Sequence, residues 1–79
     1  MAKNGFPSTF QECLDTGQAL RKKGKLTNSL KYFEEAIKKN PNSELGYYFK
    51  GVVLNALNRN EEALNDLNQA VRINPRHVY

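Results

Sequence analysis

The sequence predicts an all-α protein in which two helix-turn-helix repeats stack as four antiparallel helices, a segment of an α-solenoid. The chain matches itself after a shift of 34 residues, and its apolar residues recur at three- and four-residue steps between regularly spaced turn-forming residues. Within residues 10–77 the identical pairs at that shift are Gly17 and Gly51, Leu20 and Leu54, Leu30 and Leu64, Ala36 and Ala70, Asn40 and Asn74, and Pro41 and Pro75. These are small, apolar and helix-ending positions, as expected of a structural repeat.

The first helix pair is bounded by capping and breaking residues. Ser8 and Thr9 each stand three residues before Gln or Glu, which offers two overlapping capping boxes. Residues 23–25 (Lys-Gly-Lys) end this helix, because glycine tolerates the positive φ of a C-terminal cap. The second helix is predicted to begin near Thr27-Asn28 and to end at Asn40-Pro41-Asn42. The inner faces are Phe10, Cys13, Leu14, Gly17 and Leu20 in the first helix, and Leu30, Phe33, Ala36 and Ile37 in the second.

The second helix pair follows the same scheme. Asn42 or Ser43 is the expected N-cap, and Asn58-Arg59-Asn60 forms the turn, since asparagine adopts the left-handed conformation more readily than most residues. The last helix is predicted from about Glu61 to Asn74, with Pro75 ending it. Apolar stripes of the third helix are Leu45, Tyr48, Val52 and Leu57, and Tyr47, Gly51 and Leu54; those of the fourth are Ala63, Leu64, Leu67, Ala70, Val71 and Ile73.

This 34-residue pattern resembles the tetratricopeptide repeat family. The small positions of its motif fall on Gly17, Gly51, Ala36, Ala70, Ser29 and Ala63, the large ones on Leu20, Leu54, Phe33 and Leu67, and its prolines on Pro41 and Pro75. Cys13 departs from a usual aromatic, and Thr16 and Lys50 depart from a usual leucine. We expect an N-terminal extension at residues 1–8 and a two-repeat domain at 9–77, with repeats at 10–43 and 44–77 and a C-terminal end at 78–79.

Glycine is conspicuous at the same position of both repeats. Glycine inside a helix costs about 1 kcal/mol relative to alanine, so its presence twice indicates a packing requirement. We predict that Gly17 meets Ala36, and Gly51 meets Ala70, where the two helices of each repeat cross closely.

The resemblance implies that a protein or peptide binds on the concave face, which the first helix of each repeat builds. The implied groove residues are Leu14, Gln18, Arg21, Leu45, Tyr48, Phe49, Val52 and Asn55. Tyr48 and Phe49 are the expected anchors, and the lining suits an amphipathic helix or an extended apolar segment with an acidic flank. The alternative is that the chain's own N-terminus, including Phe6 and Phe10, covers the apolar part of this face.

The last helix has more apolar residues than its inner side needs. Leu64, Leu67, Val71 and Ile73 cannot all face inward in a helix pair, so part of this set should form an exposed apolar strip. Repeat arrays bury each unit against its neighbours, and exposed apolar patches usually mark interfaces. The sequence therefore predicts either further repeats or a homo-oligomer built through these four residues.

The positive charge is concentrated in the first half. Residues 1–40 have eight Lys/Arg and four Asp/Glu, whereas residues 41–79 have four of each, so the net charge of +4 arises in the first half. The main cluster is Arg21, Lys22, Lys23 and Lys25, with Lys38 and Lys39 further along. Such residues favour a helix C-terminus through the helix dipole. Binding of nucleic acid or an acidic partner there is the alternative function, which strong salt dependence would support.

The chain offers little for catalysis, and we expect neither an enzyme nor a bound metal or cofactor. His77 is its single histidine, and the adjacent pairs at 34–35 and 61–62 point about 100° apart on helices. Cys13 falls at a packing position without a histidine nearby, which favours a buried structural thiol.

The composition is that of a soluble domain, with 39% apolar and 25% charged residues. No apolar run approaches the roughly 20 residues of a membrane span, and residues 1–5 lack the apolar core of a signal peptide. A single cysteine excludes an internal disulfide. We expect a cytoplasmic protein.

Overall fold

The computed structural model describes residues 9–76 and confirms an all-α fold of four helices. These are α1 (Phe10–Lys22), α2 (Leu26–Lys39), α3 (Glu44–Ala56) and α4 (Asn60–Ile73). Within each repeat the two helices pack together, α1 on α2 and α3 on α4. Between repeats α3 packs on α2 and also touches α1. Among the described residues, α4 therefore has α3 as its only helix neighbour.

Side-chain capping begins the first helix of each repeat. Thr9 forms the predicted capping box, since its Oγ1 accepts from the Glu12 backbone N–H at 3.0 Å and its own N–H donates to Glu12 Oε1 at 3.2 Å. Ser8, the other candidate, lies outside the described residues. At α3 the cap is Ser43, whose Oγ accepts from the Leu45 N–H at 3.2 Å. Asn42 instead belongs to the turn before it.

The second helix of each repeat begins earlier than predicted and has no side-chain cap. α2 begins at Leu26 and α4 at Asn60, after the N-cap residues Lys25 and Arg59. At each start the carbonyl of the N-cap residue accepts the first intrahelical hydrogen bond. In α2 the Lys25 carbonyl accepts from the Ser29 N–H, so the backbone that leaves the preceding turn begins the helix. A sequence search for polar caps misses such starts, since no side chain makes the cap.

The turns within the two repeats have the same backbone geometry. Gly24 has φ of 80° and Asn58, 34 residues later, has φ of 64°, which confirms the predicted left-handed caps. In each turn the next residue reaches back to the last helical turn: the Lys25 N–H donates to the Leu20 carbonyl at 2.9 Å, with the equivalent bond from Arg59. These bonds satisfy carbonyl groups that the helix end would otherwise leave unpaired.

The Asn-Pro pairs also end α2 and α4 in the same way. Asn40 Oδ1 accepts from the Asn42 N–H and Asn74 Oδ1 from the Arg76 N–H, each at 3.2 Å. Asparagine commonly makes such local turns. Asn74 additionally donates through Nδ2 to Glu44 Oε2 at 3.3 Å, which ties the end of α4 to the start of α3.

The core lies where the four helices meet. Its fully buried side chains include the predicted Cys13, Leu14, Phe33 and Leu54 together with Val53, which the stripe pattern did not predict. Val53 is buried because α3 contacts all three other helices. A helix surrounded in this way buries a wider arc than one stripe, so the Val52-Val53-Leu54 run was the available signal.

The glycines make close contacts, but with residues other than those predicted. A Cβ added to Gly17 would lie 2.6 Å from Phe33 Cε1, and one added to Gly51 would lie 2.8 Å from Leu67 Cγ and Cδ2. The nearest neighbours are thus large side chains of the facing helix rather than Ala36 and Ala70. The prediction of a close helix approach at Gly17 and Gly51 is confirmed, and the nearest side chains are Phe33 and Leu67 rather than the predicted alanines. A large side chain fills the space that each glycine leaves open.

Lys50 links the two repeats through charge. Its Nζ lies 3.6 Å from Asp66 Oδ2 on α4 and 4.0 Å from Glu34 Oε2 on α2. The Asp66 and Lys50 side chains are only 16% and 24% exposed. Where the family motif usually has leucine, this chain therefore has a half-buried ionic contact. Burial raises the pKa of Asp66, and the nearby Lys50 ammonium only partly opposes that rise.

We predict that Asp66→Asn stabilises the protein at neutral pH. Because the pKa is raised in the folded state, the Asp66 contribution to stability is complete below the ordinary value of 3.8 and is lost as pH rises through the folded-state pKa. Asparagine mimics the neutral acid. The melting temperatures of wild type and variant should therefore converge near pH 3 and diverge at pH 7, with the variant higher. A variant less stable at pH 7 would mean that attraction to Lys50 outweighs desolvation.

Candidate functional site

The eight predicted groove residues lie on α1 and α3, which touch each other. Most of them are accessible to solvent only in part, and Asn55 is exposed. The half-buried members are Gln18, Arg21, Leu45, Tyr48, Phe49 and Val52. Six of the eight side chains are therefore only partly accessible to solvent in the described structure.

Leu14 does not belong to that surface. Its side chain is 1% exposed and lies in the core cluster. The predicted role of Leu14 as a groove residue is therefore wrong, because its side chain is part of the core. Phe10, which the alternative hypothesis used as a cover, also packs against this core, while Phe6 lies outside the described residues.

Three aromatic rings connect the core to the surface of α3. Phe33, which is fully buried, stacks on Phe49 with ring centroids 5.6 Å apart and an interplanar angle of 21°. Phe49 in turn meets the edge of Tyr48 at 5.3 Å and 67°. Both are favourable aromatic arrangements. Phe49 is thus largely engaged in packing, and Tyr48 is the ring at the end of the series.

The basic end of α1 has one unusual donor. Arg21 Nε is buried and has no hydrogen-bond partner within the described protein. Lys22, Lys23 and Lys25 are exposed around the α1–α2 turn. An unsatisfied buried donor costs about 1–3 kcal/mol, so Arg21 Nε is a locally unfavourable feature at this end of α1.

The four predicted self-association residues of α4 separate into two pairs. Leu64 is 59% exposed and Val71 is 38% exposed, and they face solvent. Leu67 packs over Gly51, and Ile73 is half-buried. An exposed apolar strip is therefore present, but it consists of Leu64 and Val71.

The match to known proteins is confined to the family level. A tetratricopeptide repeat family model matches residues 14–77. The chain belongs to the tetratricopeptide repeat family. No curated protein and no solved structure gives a match. Membership of this family makes the chain a protein–protein interaction module with protein partners.

This chain departs from the tetratricopeptide repeat motif at Cys13, where an aromatic residue is usual. The thiol is 0% exposed, and burial raises its pKa, with a smaller lowering effect from Lys39. A raised pKa reduces the thiolate fraction and hence the reactivity. Cys13 therefore acts as a small apolar residue of the core.

The remaining polar surface includes ion pairs near the end of α2 and a depression at the α3–α4 turn. Lys38 and Lys39 lie 4.0 and 3.8 Å from Glu35 carboxylate oxygens, so part of the predicted basic cluster is already paired. A shallow depression at the α3–α4 turn is lined by polar and charged residues 58–62, away from the groove and the apolar strip.

Within residues 9–76, no three His, Cys, Asp or Glu side chains gather as a metal site would require. His77 lies outside that range. None of the four described helices has the length and apolar character needed to cross a membrane.

Proposed function

We propose that this tetratricopeptide repeat domain binds an amphipathic helix or an extended apolar segment with an acidic flank, along the surface formed by α1 and α3. The observation that carries the proposal is the position of Tyr48 at the end of the Phe33–Phe49–Tyr48 series. A ring already held by its neighbours loses little freedom on binding, and such preorganised aromatic residues dominate interface energetics.

The neighbouring residues support the same class of ligand. Val52 lies one helical turn beyond Tyr48 on α3 and is also half-exposed, so the two form a short apolar patch. Arg21 on α1 is partly exposed, and its guanidinium can pair with a carboxylate. Exposed Lys22 and Lys25 add positive charge at that end. The apolar patch therefore selects an apolar segment, and the basic end selects an acidic flank.

We predict that Tyr48→Ala weakens peptide binding at least tenfold, about 1.4 kcal/mol. The probe is a peptide selected from a displayed library of helical sequences with apolar residues one turn apart and a variable flank. Titration of that peptide by fluorescence anisotropy gives its affinity for each variant. Tyr48→Phe keeps the ring and should bind almost normally. Tyr32→Ala on α2 is a control outside the surface formed by α1 and α3.

Selection of peptides without acidic residues would contradict the proposed flank. Equal affinities for Tyr48→Ala and Tyr32→Ala would contradict the proposed groove. Arg21→Gln should weaken binding of the acidic flank, whereas the part of the affinity that falls with added salt should come mainly from exposed Lys22 and Lys25, because exposed charges are the most strongly screened. Tight, sequence-independent binding of RNA or DNA, with a steep salt dependence that persists in Tyr48→Ala, would favour the basic cluster as the functional site instead.

A further inference from the structure

The outer face of α4 carries apolar residues that no other described helix covers. Leu64 and Val71 are seven residues apart, which places them two turns apart on one side of the helix. Asn68 lies between them and is exposed. Since α4 packs only on α3 among the described helices, this Leu64–Asn68–Val71 strip faces outward.

The first repeat shows what such a strip does when a helix covers it. The equivalent residues, 34 positions earlier, are Leu30 and Ile37. Leu30 is 7% exposed, and Ile37 lies so close to α3 that a Cβ on Gly46 would be 2.8 Å from its Cγ1. Leu64 at the same position is 59% exposed. The strip on α4 is therefore built like a buried helix contact.

Head-to-tail stacking of two copies does not suit this strip. In that arrangement α1 of a second copy would take the place that α3 takes on α2. Where α3 presents Gly46 and Phe49, α1 presents Glu12 and Asp15, both exposed. Burying these two carboxylates against Leu64 would remove their hydration, and α4 itself supplies a single cation, Arg72, to compensate, which makes the arrangement costly.

The strip is instead complementary to itself. We propose that a second copy of this chain covers it, with α4 antiparallel to α4 about a two-fold axis near Asn68. Leu64 of each copy then lies beside Val71 of the other. The two Asn68 amides meet at the axis, where each donates and accepts. Exposed Arg72 comes near Glu61 of the second copy, so the rim charges are opposite.

The same geometry sets the strength of the dimer. A helix of 14 residues is about 21 Å long. One such helix from each copy buries less than the roughly 1,200 Å² typical of stable interfaces. The dimer is therefore weak and forms at high concentration. This inference does not depend on the groove, because it uses a different helix face.

Sedimentation equilibrium from micromolar to millimolar concentration tests the interface. Wild type should shift from monomer to dimer and stop at dimer. Leu64→Glu, at an exposed site that leaves the fold intact by circular dichroism, should stay monomeric. Asn65→Glu adds the same charge beside the strip and should still dimerise. A wild type that is monomeric throughout would overturn the proposal, leaving the strip for a different protein segment; a dimer that survives Leu64→Glu would overturn it too.

Disulfide cross-linking tests the two-fold axis. Asn68→Cys should form a covalent dimer under oxidising conditions, since a disulfide needs Cα atoms within about 7 Å. Lys31→Cys, an exposed site on α2, should cross-link far more slowly, and buried Cys13 should not contribute. Equal cross-linking at both engineered sites, or open-ended growth into larger species, would overturn the two-fold arrangement.

Discussion

Replacing Gly51 with leucine is expected to unfold the domain or leave it loosely packed. Even the first side-chain atom has no room, because a Cβ would lie 2.8 Å from Leu67 Cγ and 3.2 Å from the Ala63 carbonyl oxygen. Leu67 could rotate away, but the carbonyl is part of the α4 backbone, so α4 itself would have to move. Overpacking of this kind costs about 1–3 kcal/mol or more, and a chain of this size has only about 4–12 kcal/mol in total.

Urea unfolding followed by circular dichroism measures this effect. Ala56→Leu is the control, because it places the same leucine side chain at an exposed position of α3. In open space, replacing a helical glycine by a better helix former gains up to about 1 kcal/mol. The direction in which Gly51→Leu shifts the urea midpoint is therefore decisive. An unchanged or higher midpoint would show that the close approach of α3 and α4 is not required.

Phe33→Ala is expected to cost about 3–5 kcal/mol, as is typical of a buried aromatic residue. The Phe33 ring is fully buried, stacks on Phe49, and covers Gly17. Its removal leaves a cavity between α1, α2 and α3 that these backbones cannot readily close. Chemical denaturation should show a variant close to the limit of folding. A loss below about 1 kcal/mol would mean that the core repacks around the missing ring.

A second substitution tests why the Phe33 ring matters. Gly17→Ala should destabilise the wild type, since the new Cβ would lie 2.6 Å from Phe33 Cε1. In the Phe33→Ala background that contact is gone, so the same change should recover up to about 1 kcal/mol of helix propensity. The two effects thus have opposite signs. An equal effect of Gly17→Ala in both backgrounds would show that Phe33 does not determine the need for glycine.

Local features of the fold could be predicted from the sequence because they depend on neighbouring residues. The capping box at Thr9 and the left-handed cap at Gly24 and Asn58 involve contacts within five residues. The starts of α2 and α4 were placed too late, since there the backbone alone makes the cap. Periodicity and the 34-residue repeat identified the four helices, because each helix has to bury one side.

Contacts across helices were less predictable. The sequence indicated that Gly17 and Gly51 need space, but it could not name Phe33 and Leu67 as their neighbours, because that depends on how helices cross. It also missed Val53, which is buried only because α3 lies among three helices. Lys50 departs from the leucine of the family motif, but the sequence could not show that its ammonium reaches Asp66 within the second repeat and Glu34 across the repeat interface.

By itself the sequence determined the helix-pair repeat, its register and most of its caps and turns, because hydrophobic periodicity and turn chemistry act over short distances. It also determined which side chains were candidates for the groove and the apolar strip. Only the tertiary structure decided which candidates remain accessible. Leu14 became core and Leu67 covered Gly51, while Tyr48, Leu64 and Val71 stayed at the surface. The reason is that accessibility depends on the neighbouring helices, and within residues 9–76 α4 has only one.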